Sequence, residues 1–366
     1  MIQKKTIFVA VTNDVSTDQR VHKVCDYLVR NGFEVLVYGR VLPDTFLIDR
    51  SYTIKRKKHW FHHNFMFYAE YNIKLFLYLL VHKYDYILSN DLDTLPACFF
   101  GSKLKKTSLV YDSHELFSEG PELQGRKFVQ GFWRRLENYF LPKLKNAYTV
   151  SNSIADFYKE KHQIEMGVIR NVPLLEKEFA PIKVSFPTKN KVVLYQGVLN
   201  PGRGIKSMIK ALHFLDKIDL VIIGFGKVEE ELKAFAKKEK LKFRVHFLGR
   251  IPHNALKNYT TLADIGMVLE MPLGKSFEFS LPNKLFDYIH AGLPIICGNL
   301  PEISNIVRAY KVGEIIENPT PENIAKAIKE ITQNNALEEY IIENQQKAAK
   351  ELCWEKERHL LDNYFR

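Results

Sequence analysis

A short apolar run rich in β-branched residues, followed by a helical pattern, recurs along this 366-residue chain, and after a break the same alternation starts again. Such alternation commits a chain to a parallel sheet wrapped by helices, since parallel strands need long crossovers. Residues 7–11 read as the first strand. Asp18 is placed to cap a helix from Gln19, in which Val21, Val24, Cys25 and Leu28 recur at helical spacing and which Gly32 ends. Strands at 34–38, 84–89 and 108–111 and a helix at 95–105 continue the rhythm. Asn171-Val172-Pro173 breaks it, and the polar, Pro-bearing stretch 176–191 reads as an interdomain linker. Strands then follow at 192–195, 220–223, 245–247, 265–269 and 294–297, with helices at 204–215, 228–239 and 284–290 and a helical closing segment, 321–366.

The expectation is an α/β protein of two Rossmann-like, doubly wound parallel-sheet domains. At ~150 residues per domain the length agrees. The domains are expected at 1–175 and 176–352, with a last helix at about 353–366 packing back on the first. Doubly wound sheets bind ligands at the carboxyl ends of their strands, so a central cleft faced by both sheets is the default site.

Composition excludes several classes. Eighteen Gly and 15 Pro rule out collagen-like chains, and Cys25, Cys98, Cys297 and Cys353 form no close pair, which fits a reducing compartment. The run at 7–11 is too short for a signal peptide, and the longest greasy stretch, 75–81, falls far short of the ~20 residues that span a bilayer. A cytoplasmic protein is expected. The net charge of +11 favours anionic partners without choosing among them.

Two segments after strands carry phosphate chemistry. In Gln196-Gly197-Val198-Leu199-Asn200-Pro201-Gly202-Arg203-Gly204, the glycines allow close backbone approach to an anion and Arg203 offers a guanidinium. A Gly-rich turn with a solvated Arg is the competing reading. In Ser280-Leu281-Pro282-Asn283-Lys284-Leu285-Phe286-Asp287, a helix starts near Pro282, and Lys284 in its first turn opposes the helix dipole. An anionic ligand above that turn would explain the lysine. Asp287 could accept hydrogen bonds from ribose, and a surface Lys–Asp pair is the alternative.

These segments, with Ala291-Gly292-Leu293-Pro294, Phe247-Leu248-Gly249-Arg250-Ile251-Pro252, Ala263-Asp264-Ile265-Gly266 and Tyr111-Asp112-Ser113-His114-Glu115, resemble the retaining GT-B glycosyltransferases of family 4, also called group 1. The resemblance covers nearly the whole chain. It implies a GT-B fold and transfer of a hexose-type sugar from a nucleoside-diphosphate donor to an acceptor hydroxyl, in cell-surface polysaccharide or glycolipid synthesis. Arg203 and Lys284 would stabilise the diphosphate leaving group, so no metal or other cofactor is required. Gly197, Gly202, Gly224, Gly226, Ser280, Leu281, Pro282, Asn283 and Asp287 would line the donor, and Arg250 and Ile251 would receive its base. The family holds its donor with two glutamates eight positions apart. Asp287 takes the second position and Phe279 the first, leaving the neighbouring Glu278 as substitute. A literal pair at Glu270 and Glu278 is set aside, because Glu278 does not precede the Gly-Pro segment.

In the first half, the resemblance brings His114 to the transferred sugar and Asp14 and Arg20 to the acceptor. Asp112, Glu115 and Glu119 join His114 in a polar cluster, and either glutamate could serve as acceptor base. Asp91-Leu92-Asp93 reads as a strand-end turn with Asp93 capping the next helix, in preference to a metal site. Residues 55–81 mix Lys55, Arg56, Lys57, Lys58, His59, His62 and His63 with Trp60, Phe61, Phe65, Phe67, Tyr68 and Tyr71. This suits peripheral contact with the anionic inner face of a membrane and a glycan or lipid-linked acceptor; a core helix with a basic end is the other reading. A GT-B sugar-nucleotide epimerase and a basic nucleic-acid-binding protein are the alternatives. No nucleic-acid-binding module is recognisable, and no Gly-x-Gly-x-x-Gly follows the first strand.

Overall fold

The computed structural model describes residues 4–43, 45, 48–120, 123–175 and 182–366. Residues 1–3 and the first part of the expected linker, 176–181, lie outside them. The chain divides into two compact units, Met1–Asn171 with Glu357–Arg366, and Val172–Lys356.

The first unit runs β1 (Thr6–Ala10), α1 (Gln19–Arg30), β2 (Glu34–Arg40), β3 (Thr53–Lys57), α2 (Asn64–Val81), β4 (Tyr86–Asn90), α3 (Leu95–Lys105), β5 (Ser108–Ser113), α4 (Lys127–Phe140), β6 (Asn146–Thr149), α5 (Asn152–His162) and β7 (Gly167–Val168). Its strands are parallel in the order β3-β2-β1-β4-β5-β6-β7. Asp18 caps α1, accepting from Val21 N, as its side chain and position dictate. The returning terminal segment is tied on through Tyr27 Oη, which donates to Asp362 at 2.8 Å, and Tyr364 Oη, which donates to Ala147 O at 3.2 Å.

The basic–aromatic stretch 55–81 splits. Residues 55–57 fall on the edge strand β3, where charge discourages pairing with a further strand. Phe67, Tyr71, Leu75 and Leu79 recur every four residues along α2 and enter the core. Trp60, Phe61, Phe65 and Met66 stay exposed. Among the described residues no helix is long and apolar enough to cross a membrane.

The second unit runs β8 (Lys191–Gln196), α6 (Ile205–Ala211), β9 (Ile218–Ile223), α7 (Glu229–Lys238), β10 (Val245–Gly249), α8 (His253–Thr260), β11 (Ile265–Val268), α9 (Lys275–Glu278), α10 (Asn283–Ala291), β12 (Ile295–Gly298), α11 (Pro301–Tyr310), β13 (Gly313–Ile316), α12 (Pro321–Thr332), α13 (Asn335–Glu351) and α14 (Trp354–Glu357). Its parallel order is β10-β9-β8-β11-β12-β13. In each unit the direction of winding reverses beside the first strand, between β1 and β4 and between β8 and β11. Those reversals are where open α/β sheets leave a crevice at the strands' carboxyl ends. All four cysteines are buried and free.

Candidate functional site

In the second unit, the loop after β8 and the loop after β11 meet at the winding reversal. Met271 N donates to Gly202 O at 2.8 Å. Gly204 has φ +68°, and a Cβ there would lie 2.6 Å from Leu269 O, so only glycine lets the two loops close. The closure sets Arg203 Nη1 2.9 Å from Glu270 Oε1. Lys284 Nζ, on the first turn of α10, lies 2.8 Å from the same oxygen, and the Glu270 side chain is 0% exposed. Burial alone would raise the Glu270 pKa, but Lys284 and Arg203 outweigh it and hold the carboxyl below its ordinary value. Lys284 also sits 4.1 Å from the Tyr195 ring centroid, and Arg203 4.6 Å from that of Phe277. Arg203 Nε and Glu270 Oε2 are buried with no hydrogen-bond partner among the described residues.

Glu270, set aside in the sequence reading as half of a coincidental pair with Glu278, lies between the two cations. It is the resident anion that reconciles Lys284 with the helix dipole. Its signal was its place, two residues beyond the end of β11. Glu278 ends α9 and pairs with Lys275 at 3.0 Å, four-residue-helix neighbours at i, i+3. Lys284 pairs with Glu270, while Asp287, expected to meet ribose, is held from the strand β8 side. It accepts from Gln196 Nε2 at 3.0 Å, and Gln196 Oε1 in turn accepts from Thr260 at 2.8 Å. Gln196 and Thr260 thus orient Asp287, and neither was singled out from sequence. Ser280 Oγ donates to Phe277 O, Pro282 precedes the first residue of α10, and Leu281 and Asn283 flank it.

Gly197 and Gly224 serve the fold directly. A Cβ on Gly224 (φ +144°) would lie 1.8 Å from Gly197 O, and one on Gly226 2.4 Å from Leu199 O. Gly202 (φ +85°) would press on Leu273. Arg250 follows β10 with its guanidinium 5.3 Å from the Phe225 ring centroid, beside the half-buried Ile251.

In the first unit, Arg20 and Asp112 are buried against each other. Arg20 Nε and Nη2 donate to Asp112 at 2.9 and 2.7 Å, and Nη1 donates to Ile169 O at 2.9 Å. Arg20 is therefore not a surface ion pair at the helix start. His114 lies between two carboxylates, Nδ1 3.2 Å from Asp91 Oδ2 and Nε2 3.3 Å from Asp112 Oδ2. Burial would lower the His114 pKa, yet Asp91 and Asp112 outweigh it and raise it to about 9. The ring is an imidazolium at neutral pH, a donor and not a base. Burial likewise pushes Asp112 up, while Arg20 and His114 hold it at about 2.

Asp93 does not cap α3, contrary to expectation. Thr94 is the cap residue, and Asp93 accepts from Thr12 Oγ1 at 2.6 Å. Burial and the neighbouring Asp91 raise its pKa to about 7. Asp91, with φ +59°, turns the other way and accepts from His114 N. Asp14, in the loop after β1, accepts from Ser16 of the same loop and from Thr45, which follows β2. Glu119 is gripped by Arg134 through two hydrogen bonds of 3.1 and 3.0 Å. Glu115 is exposed.

Two family profiles match this chain. Glycosyl transferases group 1 matches residues 176–348, and Glycosyltransferase Family 4 matches residues 18–173. An uncharacterized glycosyltransferase of Methanocaldococcus jannaschii is 23% identical over 269 residues, 69% of this chain and 67% of that protein. A second from the same organism is 24% identical over 162 residues, 43% of this chain and 40% of its own length. Among solved structures, sucrose-phosphate synthase from Thermosynechococcus elongatus superimposes with TM-score 0.81 at 16% identity, over 99% of this chain and 98% of that one. WaaG, a glycosyltransferase involved in lipopolysaccharide biosynthesis, gives 0.74 at 15% identity over 98% and 99%. Anabaena HepE in complex with UDP-glucose gives 0.73 at 15% identity over 98% of each chain. At these identities the likeness establishes the fold, GT-B.

Proposed function

The chain belongs to the group 1, family 4 glycosyltransferases, and from that premise we propose that it transfers a sugar from a nucleoside-diphosphate sugar to an acceptor hydroxyl, with retained anomeric configuration, in cell-surface polysaccharide or glycolipid synthesis. The observation that carries the donor assignment is the convergence of Arg203 and Lys284 at one point, with the Arg203 Nε donor still unpaired. Two cations already gathered on one buried carboxylate need little reorganisation to receive a diphosphate. Breaking the bond between the sugar's anomeric carbon and the diphosphate oxygen leaves the electron pair on the diphosphate, and fixed cations stabilise that charge most where water is scarce. No divalent metal is required in this reading. Asp287, steadied by Gln196 and Thr260, takes the ribose hydroxyls.

The acceptor side belongs to the first unit. His114, cationic and held by Asp91 and Asp112, supplies positive charge on the side of the transferred sugar. The complex of Anabaena HepE with UDP-glucose supports a uridine diphosphate sugar as the first donor to try. Its test is a panel of nucleotide sugars assayed for thermal stabilisation; a ligand at 100 times its Kd adds ~2.7 kcal/mol. No stabilisation by any nucleotide sugar, or stabilisation unchanged in Arg203→Ala/Lys284→Ala, would sink the donor assignment. Epimerised donor formed without acceptor would replace transfer with epimerisation.

A further inference from the structure

Glu270 follows β11, the strand between β8 and β12, and its side chain is 0% exposed. Arg203 Nη1 and Lys284 Nζ reach the same oxygen, Oε1, at 2.9 and 2.8 Å. The other oxygen, Oε2, is buried with no hydrogen-bond partner among the described residues. The remaining titratable groups on the elements around it supply no free cation. Tyr195 of β8 lies beneath Lys284, and Asp287 of α10 holds Gln196. Burial pushes the Tyr288 hydroxyl of α10 and the Cys297 thiol of β12 up, the thiol to about 12, so both stay neutral. On α9, Lys275 and Glu278 pair with each other at 3.0 Å.

A carboxylate so enclosed stays ionised only while its cations are its own; deprived of them, it takes up a proton. A diphosphate oxygen bonded to Lys284 Nζ at ~3 Å comes within ~6 Å of Glu270 Oε1. Two phosphate charges and the carboxylate then share two cations where water is scarce, and one negative charge is in excess. The nucleotide sugar cannot shed it. Each of its phosphates is linked on both sides and lacks the ionisation near pH ~6 of a terminal phosphate. The charge that can be removed is the one on Glu270.

Resting on the nucleotide-sugar reading above, we propose that donor binding is coupled to the uptake of one proton by Glu270, on the unpartnered Oε2. The neutral acid releases Arg203 and Lys284 to the diphosphate, so both cations face the leaving group undivided when it receives the electron pair. When the nucleotide product departs, the proton returns to solvent and the carboxylate takes its two cations back. Glu270 thus keeps two like charges together before the donor arrives, and yields them by gaining a proton. The sign of the pH dependence follows. Arg203 and Lys284 hold the free protein's carboxyl below its ordinary value, and the donor raises it by drawing them away. Donor affinity therefore rises as pH falls through the window between the two values, approaching ~10-fold per pH unit.

The test is calorimetric titration of UDP-glucose, or of whichever nucleotide sugar in the panel binds most tightly, into the full chain. Buffers of different ionisation enthalpy, between about pH 5.5 and 8, count the protons taken up. An uptake approaching one proton per donor is expected. Infrared difference spectra of the wild-type protein should show a carboxylic-acid carbonyl band appearing as the donor is added. Glu270→Gln, which imitates the protonated acid, should bind the donor with no proton uptake and a Kd independent of pH. Donor binding without proton uptake anywhere in that range, or without the acid band, overturns the proposal, and neither result depends on the variant folding. Equal uptake in wild type and Glu270→Gln also overturns it, by assigning the proton to another group. Failure of the donor assignment looks different: no nucleotide sugar binds at all, and this inference falls with it.

Discussion

Lys284 Nζ lies 2.8 Å from Glu270 Oε1, and the carboxylate of Glu270 is wholly buried. A buried charge persists only while it is paired, so each of the two residues depends on the other, and Arg203 shares the same oxygen. Glu270→Gln should therefore destabilise the protein by ~3–5 kcal/mol, the usual cost of stranding a buried partner. Adding Lys284→Met should return part of that loss. Chemical denaturation of the two single variants and the double variant measures the coupling. Strictly additive effects would show that the contact has no energetic content.

Loss of the two cations should cost stability as well as catalysis, because it strands the buried Glu270 carboxylate. For the Arg203→Ala/Lys284→Ala double variant, assayed under conditions where circular dichroism reports it folded, kcat/KM is expected to fall ~10² or more. Excess chelator should leave the wild-type rate unchanged. A chelator-sensitive rate would return the leaving group to a metal.

The His114 cluster gives stability a definite pH dependence. The folded pKa of about 9 lies above the ordinary 6.5. A raised pKa means the contribution is complete below about pH 6.5 and disappears as pH rises through about 9. Wild-type melting temperature should accordingly drop more between pH 7 and pH 9.5 than that of His114→Asn. Parallel pH profiles for the two proteins would deny His114 its charge.

Gly224→Ala should be poorly tolerated. The added Cβ would lie 1.8 Å from Gly197 O, at a φ of +144° that side chains avoid. Strain of this kind costs ~1–3 kcal/mol before any clash is relieved. The unfolding midpoint is the readout, and a midpoint at the wild-type value would mean the two loops are not held together as described.

Thr260→Val removes the donor to Gln196 Oε1, and with it the alignment of Asp287. One hydrogen bond is worth ~1 kcal/mol, so donor KM should rise about fivefold with kcat nearly constant. An equal fall in kcat would move Asp287 from binding into the chemical step.

Local features were legible in the chain because they depend on near neighbours. Asp18 capping α1, the helix at Leu95–Lys105 and the buried Val21, Val24, Cys25 and Leu28 all follow from spacing and side-chain chemistry within one or two turns. The edge strand Thr53–Lys57 was missed because its charged residues carry no apolar alternation.

What the sequence by itself determined is the two-fold α/β alternation, the glycine-rich loop after β8 and the presence of Arg203, Lys284 and Asp287 near strand and helix ends. Tertiary structure alone decided their partners. β11 pairs with β8 across some seventy positions of chain, Ile265 beside Val193, and this carries Glu270 onto Arg203 and Lys284. Counting along the sequence ranks Glu270 by its distance from Glu278, whereas the sheet ranks it by strand order, and strand order is set by which apolar faces the whole unit can bury together.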